Sequence, residues 1–238
     1  RVVASERQFF PIARWDELAL PPEEDGTRWS PPKRSLVTLG FDGARTGDST
    51  GLVVTEVETR RQAVVGLWEH PREKDGSPVE GWEVPVDEVD EVVADAFRRW
   101  DVALFYADPF FWETKVAEWV SRYGTRRIGK RRVPVVQPWH TNRLRPMAYA
   151  LRAYVGAIRA GELEHSGDPR LRAHLANARR HDTNLTDEDR RPLAVIRKER
   201  PDSPDKIDLA MAACLSWEAC RDAIALGARK RSRVPRSF

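Results

Sequence analysis

The chain has 238 residues, 41% of them hydrophobic, with 40 lysines and arginines against 37 acids and a formal net charge of +3. That is enough to bury a full core, and one α/β domain is expected; no apolar run approaches the roughly 20 residues of a membrane span, and no signal peptide opens the chain. Cys214 and Cys220 fall on one expected helix at a spacing unsuited to a disulfide or a zinc site, so a reducing, intracellular setting is expected.

Residues 1–34 are proline-rich with scattered aromatics (Phe9, Phe10, Trp15, Trp29). They read as a lead-in segment that packs on the domain, with a short helix near 14–20. Segments 36–42, 50–57 and 62–69 read as consecutive strands, close enough in sequence to be antiparallel neighbours. The period then changes. Val86, Val89, Val92, Val93, Ala96 and Phe97 recur at helical spacing, and a buried strand follows at 102–107. Helices are expected at 111–123, 143–160 and 171–178, strands at 133–137 and 193–197, and a long last helix at 204–226. Residues 229–238 form a basic tail. A three-stranded meander followed by alternating helices and strands predicts an α/β domain over 35–228, a mixed sheet with helices on both faces.

Acidic residues punctuate this pattern. Asp42 ends the first strand on the same face as Thr38 and Gly40 and leads into a glycine-containing turn. Asp108 ends a nearly continuous apolar run, and Pro109 stops strand pairing there, leaving the carboxylate at the sheet's edge, where ligands bind in open α/β sheets. In the last helix Ser203 reads as the N-cap and Pro204 as the first helical residue, which puts Asp205 in the first turn and Asp208 in the second. Asp208 borders the apolar stripe of Ile207, Met211, Cys214 and Leu215 and is the preferred ligand; Asp205 stays as its alternative or companion. An acid at the mouth of a buried strand is costly without a cation beside it, and several such acids suggest one shared metal site. All but Asp208 also have a ready structural reading. Asp42 can cap a turn, Asp108 the following helix, and Asp205 can complement a helix dipole. Asp48 fits a turn residue that could support the site.

Basic residues cluster at Arg126, Arg127, Lys130, Arg131 and Arg132, at Arg179 and Arg180, and at Arg229, Lys230, Arg231, Arg233 and Arg236. Such clusters fit a polyanionic partner, and the first two groups, with Arg143 and Arg145, are the candidates for salt-sensitive contact with its phosphates. Trp100, Trp119 and Trp217 read as core; Trp68, Trp82, Trp112 and Trp139 are open between core and base stacking. His140, His165, His174 and His181 belong to no motif and are expected mostly at the surface.

The stretches Leu39-Gly40-Phe41-Asp42-Gly43-Ala44-Arg45-Thr46-Gly47-Asp48-Ser49-Thr50, Tyr106-Ala107-Asp108-Pro109 and Lys206-Ile207-Asp208-Leu209-Ala210-Met211-Ala212 together resemble the ribonuclease H-like fold. More narrowly, residues 35–228 resemble the carboxyl-terminal nuclease domain of tailed-phage large terminase subunits. The resemblance implies a metal-dependent endodeoxyribonuclease that cuts concatemeric viral double-stranded DNA during genome packaging. It implies two divalent cations, Mg²⁺ or Mn²⁺, with Asp42 bridging them and Asp108 and Asp208 (or Asp205) completing the ligand set. The catalytic acids would be Asp42, Asp108 and Asp208. Implied partners are double-stranded DNA, a motor ATPase domain, the portal and the small terminase subunit, in the host cytoplasm. This sequence has no G-x-x-x-x-G-K-[ST] phosphate loop and starts at Arg1, so it is expected to be a nuclease domain excised from a longer chain. A junction resolvase or transposase core would use the same acids. An actin-like or sugar-kinase ATPase would need a second glycine-rich phosphate loop, which is not found, and a non-catalytic DNA-binding or portal-docking module leaves the acids unexplained.

Overall fold

The computed structural model describes residues 8–45, 48–73, 75, 77, 79–200 and 205–229. In chain order these form α1 (Ile12–Glu17), β1 (Leu36–Gly43), β2 (Thr50–Glu56), β3 (Arg61–Trp68), α2 (Val86–Arg99), β4 (Asp101–Ala107), α3 (Glu113–Tyr123), β5 (Thr125–Ile128), β6 (Arg131–Pro134), β7 (Val136–Pro138), α4 (Leu144–Ala160), β8 (Glu164–His165), α5 (Pro169–Asn177), β9 (Arg179–Thr186), β10 (Pro192–Arg197) and α6 (Asp208–Ala225). The main sheet has the order β7-β4-β1-β2-β3-β8. The meander β1–β3 is antiparallel, while β4 runs parallel to β1 and β7 parallel to β4. This is the mixed sheet with helices on both faces that the pattern predicts.

Alternation along β1 sorts its side chains between two cores. Val37, Leu39 and Phe41 pack with Val89, Val93, Val116 and Trp119 of α2 and α3. Phe41 meets the rings of Trp112 and Trp119 edge-on at 5.1 and 5.2 Å, geometry that suits the aromatic quadrupole. The opposite face carries Thr38, Gly40 and Asp42, and against it lies α6. A side chain at Gly40 would stand 2.1 Å from the Ala212 carbonyl oxygen and 2.2 Å from the Ser216 nitrogen. Only glycine lets helix and strand approach that closely.

A polar seam fixes where α6 sits along the sheet. Thr38 Oγ1 donates to the Ser216 carbonyl at 2.9 Å, and Ser216 Oγ donates back to the Thr38 carbonyl. Gln62 Nε2 donates to Thr55 Oγ1 and to the Ala213 carbonyl, and Tyr154 donates to Gln62 Oε1 at 2.6 Å. Buried groups satisfied this fully favour one register over its neighbours. The helix head, with Asp208, is therefore held at a defined level.

Several expectations are corrected. The strand expected at 133–137 is two strands. Pro134 closes the β5–β6 hairpin opposite Thr125, and Val136 starts β7 beside Phe105 in the main sheet; proline cannot donate to a continuing ladder. Segment 193–197 pairs with β9 instead of joining the main sheet, and β9 is too polar to have read as a strand. The last helix starts at Asp208, not at 204; Ser203 and Pro204 lie outside the described residues, and the backbone of Ile207 (φ −131°, ψ 0°) begins the helix without a side-chain cap. The helix expected from 111 starts at Glu113, because Phe111 adopts φ +65°. His165 and His174 are buried, not at the surface. His165 stacks on Trp15 at 3.8 Å, and its Nε2 donates to the Trp15 carbonyl. Trp68 and Trp112 join the core, as do Trp100, Trp119 and Trp217. Among the described residues no helix is long and apolar enough to cross a membrane.

Candidate metal centre

Parallel pairing sets the first two acids side by side. Phe41 of β1 lies opposite Ala107 of β4, and the Asp108 N–H donates to the Phe41 carbonyl at 2.9 Å. Asp42 and Asp108 therefore leave adjacent strands at one edge. Asp208, the first residue of α6, arrives from the other side of β1, where Gly51, the register partner of Asp42, packs on Leu209. The three carboxylates are 8%, 5% and 7% exposed.

Asp208, Asp108 and the neighbouring Asp48 are each held by groups that sequence reasoning missed. Ser49 Oγ donates to Asp208 Oδ2 at 2.5 Å. The Thr141 hydroxyl donates to Asp108 Oδ2, and the Phe110 N–H donates to its Oδ1. Asp48 pairs with Lys198 and, at 3.2 Å, with Lys206. Behind the site, His174 Nδ1 accepts from the Leu209 N–H at 3.0 Å while Nε2 donates to Glu69. A buried imidazole thus takes one of the orphan donors at the head of α6. These groups come from six separate segments, and a lone hydroxyl or histidine has no local signature of such a role.

The electrostatics are those of crowded, desolvated anions. Burial, then the charges of Asp208, Asp108 and Asp48, push the Asp42 carboxyl well above its ordinary range, with a hydrogen bond shared with Asp108 adding to the rise. Asp208 is pushed up to about 6 by burial and by the charge of Asp48, against the Ser49 hydrogen bond and Lys198. For Asp48 burial also pushes up, but its hydrogen bond to Lys198 and the charges of Lys198 and Lys206 bring it below its ordinary value.

Among the described residues no three acid, histidine or cysteine side chains are already close enough to hold a metal ion together. Even so, the donor set fits hard divalent cations: carboxylate oxygens whose mutual repulsion a cation would relieve, at a strand-end edge. Asp42, Asp108 and Asp208 are the residues that could hold them. Asp205 is exposed, ahead of the helix rather than in its first turn.

The basic candidates separate into two regions. Arg145 donates to the Thr186 carbonyl near the start of α4, and Arg143 is exposed just before it, two residues after Thr141. Arg179 and Arg180, with Arg197, Lys198 and Ile207, line a cavity of about 700 Å³, which adjoins the acids through Lys198. The run from Arg126 to Arg132 does not join them. Arg126 is pinned to Asp101 and to the Val102 carbonyl at the opposite end of β4, about 23 Å of strand from Asp108. This run therefore stands apart from Arg143, Arg145, Arg179 and Arg180.

The fold is ribonuclease H-like, the fold of the nuclease domains of tailed-phage large terminases. The chain superposes on the large terminase nuclease of thermophilic phage G20c with a TM-score of 0.61 at 15% identity, covering 89% of this chain and 98% of that one. The same nuclease with bound magnesium gives 0.58 at 16% identity, over 89% and 97%. The large terminase of bacteriophage HK97 gives 0.58 at 15% identity, covering 89% of this chain and 43% of that one. In sequence the chain is 31% identical to the gene 13 protein of Mycobacterium phage L5 and 30% identical to that of phage D29, each over 93% of this chain. It spans 36% of the length of either relative. No family model matches it.

Proposed function

We propose that this chain is the nuclease part of a phage genome-packaging terminase, cutting concatemeric double-stranded DNA by phosphodiester hydrolysis with two divalent cations, Mg²⁺ or Mn²⁺. One observation carries the reading: three buried carboxylates stand at the edge where β1, β4 and the head of α6 converge, with Asp42 pushed up by burial and by the charges of Asp208 and Asp108. When bound, the cations supply Lewis-acid charge that activates a water and offsets charge on the leaving 3′ oxygen. Asp42, Asp108 and Asp208 would hold them. Thr141 and the Phe110 N–H orient Asp108; Ser49 orients Asp208, and His174 steadies the helix that carries it. Such outer contacts set ligand geometry in metal sites generally. Lys198 and Lys206 keep Asp48 turned toward them. Arg179, Arg180, Arg143 and Arg145 would hold the duplex by its phosphates, Arg guanidinium being suited to that.

The motor ATPase, portal and small terminase subunit are proposed partners, supported by the likeness to part of the HK97 large terminase. The test is incubation of supercoiled plasmid with Mn²⁺ or Mg²⁺: nicking and then degradation, abolished by EDTA and by Asp42→Ala or Asp108→Ala. Full cutting by both variants would overturn the reading.

A further inference from the structure

Between Asp108 and α3 the chain makes a tight turn, closed by the Trp112 N–H donating to the Pro109 carbonyl at 2.8 Å. Both ends are fixed: Asp108 is buried at the strand-end edge, and the Trp112 ring is buried against Phe41. The two residues between Pro109 and Trp112 are Phe110 and Phe111. Their rings stand in solvent, 56% and 53% exposed, with centroids 4.1 Å apart. They are the most exposed large hydrophobic residues among those described. Phe111 also adopts φ +65°, at the turn position where glycine or asparagine is usual.

An isolated exposed apolar side chain needs no explanation. This pair differs on three counts. The rings lie together and form one apolar knob. Phe111 occupies a backbone conformation that is costly for a phenylalanine, with no gain in burial. The knob also stands beside the candidate metal centre: the Phe110 N–H donates to Asp108 Oδ1, while the Thr141 hydroxyl donates to Asp108 Oδ2. The loop that supplies Thr141 continues through Asn142, Arg143, Leu144 and Arg145, all exposed. From Trp119 to Gly161 the sequence contains no acid, so a polyanion can approach this side of Asp108 without meeting a carboxylate of that stretch. Arginines suit the phosphates of DNA, and exposed aromatic rings suit its bases.

We propose that Phe110 and Phe111 form a wedge that enters duplex DNA between neighbouring base pairs, next to the phosphate that faces Asp108, and stacks on the bases it separates. Phenylalanine is among the residues that part base steps in this way, and parting a step kinks the duplex. A kink would let a backbone phosphate reach carboxylates that are themselves buried. The inference rests on the proposed reading that the chain acts on double-stranded DNA, and it names the contact beside the cut. It does not depend on cutting.

The test is the fluorescence of a duplex of about 30 bp carrying 2-aminopurine in place of its interior adenines, a base analogue that brightens when its stack opens. The measurement is made in EDTA, so that no cutting intervenes, at protein concentrations that saturate the anisotropy of a dye-labelled copy. The 238-residue chain should raise the fluorescence about twofold or more. Phe110→Ala/Phe111→Asn keeps the backbone N–H that orients Asp108 and suits the turn; it should lose most of that rise. Phe110→Tyr should keep it. Unchanged circular dichroism certifies the fold of both variants. Bound duplex without a rise, or an equal rise with the double variant, would overturn the proposal, as would absence of duplex binding by the unsubstituted chain. Loss of self-association in the double variant with the rise retained would mark the rings as a contact between copies and equally overturn it. A chain that shows the rise through these rings yet cuts no plasmid in Mn²⁺ would sink the nuclease reading alone.

Discussion

The backbone N–H of Asp108 donates to the carbonyl of Phe41 at 2.9 Å, the last rung joining β4 to β1. Beyond it the chains part, and Asp42 and Asp108 emerge side by side. Their proximity is therefore a property of parallel strand register, and it should survive loss of either carboxylate. Asp42→Ala and Asp108→Ala are expected to fold with unchanged circular dichroism.

The raised acids make the metal-free protein pay for its site at neutral pH. A carboxyl whose folded pKa lies above its unfolded value contributes stability that is present below the unfolded pKa and lost as pH rises through the folded one. For Asp208 the window runs from about 4 to about 6. In EDTA, Asp208→Asn should be more stable than the unsubstituted chain at pH 8, by about 1–3 kcal/mol, with the two converging near pH 4. Urea denaturation at several pH values measures this.

Mn²⁺ or Mg²⁺ should reverse that balance. Binding at 100 times the dissociation constant stabilises by about 2.7 kcal/mol, so the cation should raise the melting temperature at pH 7.5 and much less at pH 5, where protons compete for the same oxygens. Asp208→Asn should lose most of this shift and Asp205→Asn should keep it. Equal loss in both would make Asp205 a ligand as well.

Thr141→Val and Ser49→Ala remove the hydroxyls that orient Asp108 and Asp208. Each should weaken metal affinity or cutting by about 10–100-fold with little change in stability. Isothermal titration with Mn²⁺ and plasmid nicking read the two effects separately.

Gly40→Ala tests how closely α6 must approach β1. Its methyl would stand on the backbone at Ala212 and Ser216, where neither can rotate away, so a loss of about 3 kcal/mol or more is expected. Gly156→Ala in α4 is the control. A methyl there meets nothing within 4 Å, and the variant should gain up to about 1 kcal/mol. Denaturant midpoints decide between them.

The acids were legible in the sequence because strand alternation and the Asp108-Pro109 stop are local signals. Thr38, Gly40 and Asp42 share a face in any extended chain, and that face does meet α6. The hydroxyls, lysines and imidazole around them were not legible. Ser49, Thr141, Lys198 and His174 reach the site only through tertiary contacts, and nothing in their neighbours marks them. β9 escaped notice because its exposure alternates with scarcely any hydrophobicity to report it. The start of α6 was misread because a serine–proline pair resembles a helix opening, whereas residues 205–207 run in ahead of the helix. The basic run at 126–132 was visible as charge, but charge alone does not say at which end of a sheet it will stand.

The seam that ties Thr38 and Gln62 to Ser216 and Ala213 has a consequence for length variation. One residue inserted between Asp208 and Ala212 would swing the helix head by about 100° and displace it about 1.5 Å along the axis, with the seam still in place downstream. From Asp208 to Ser216 the residue count is thus as constrained as any side chain.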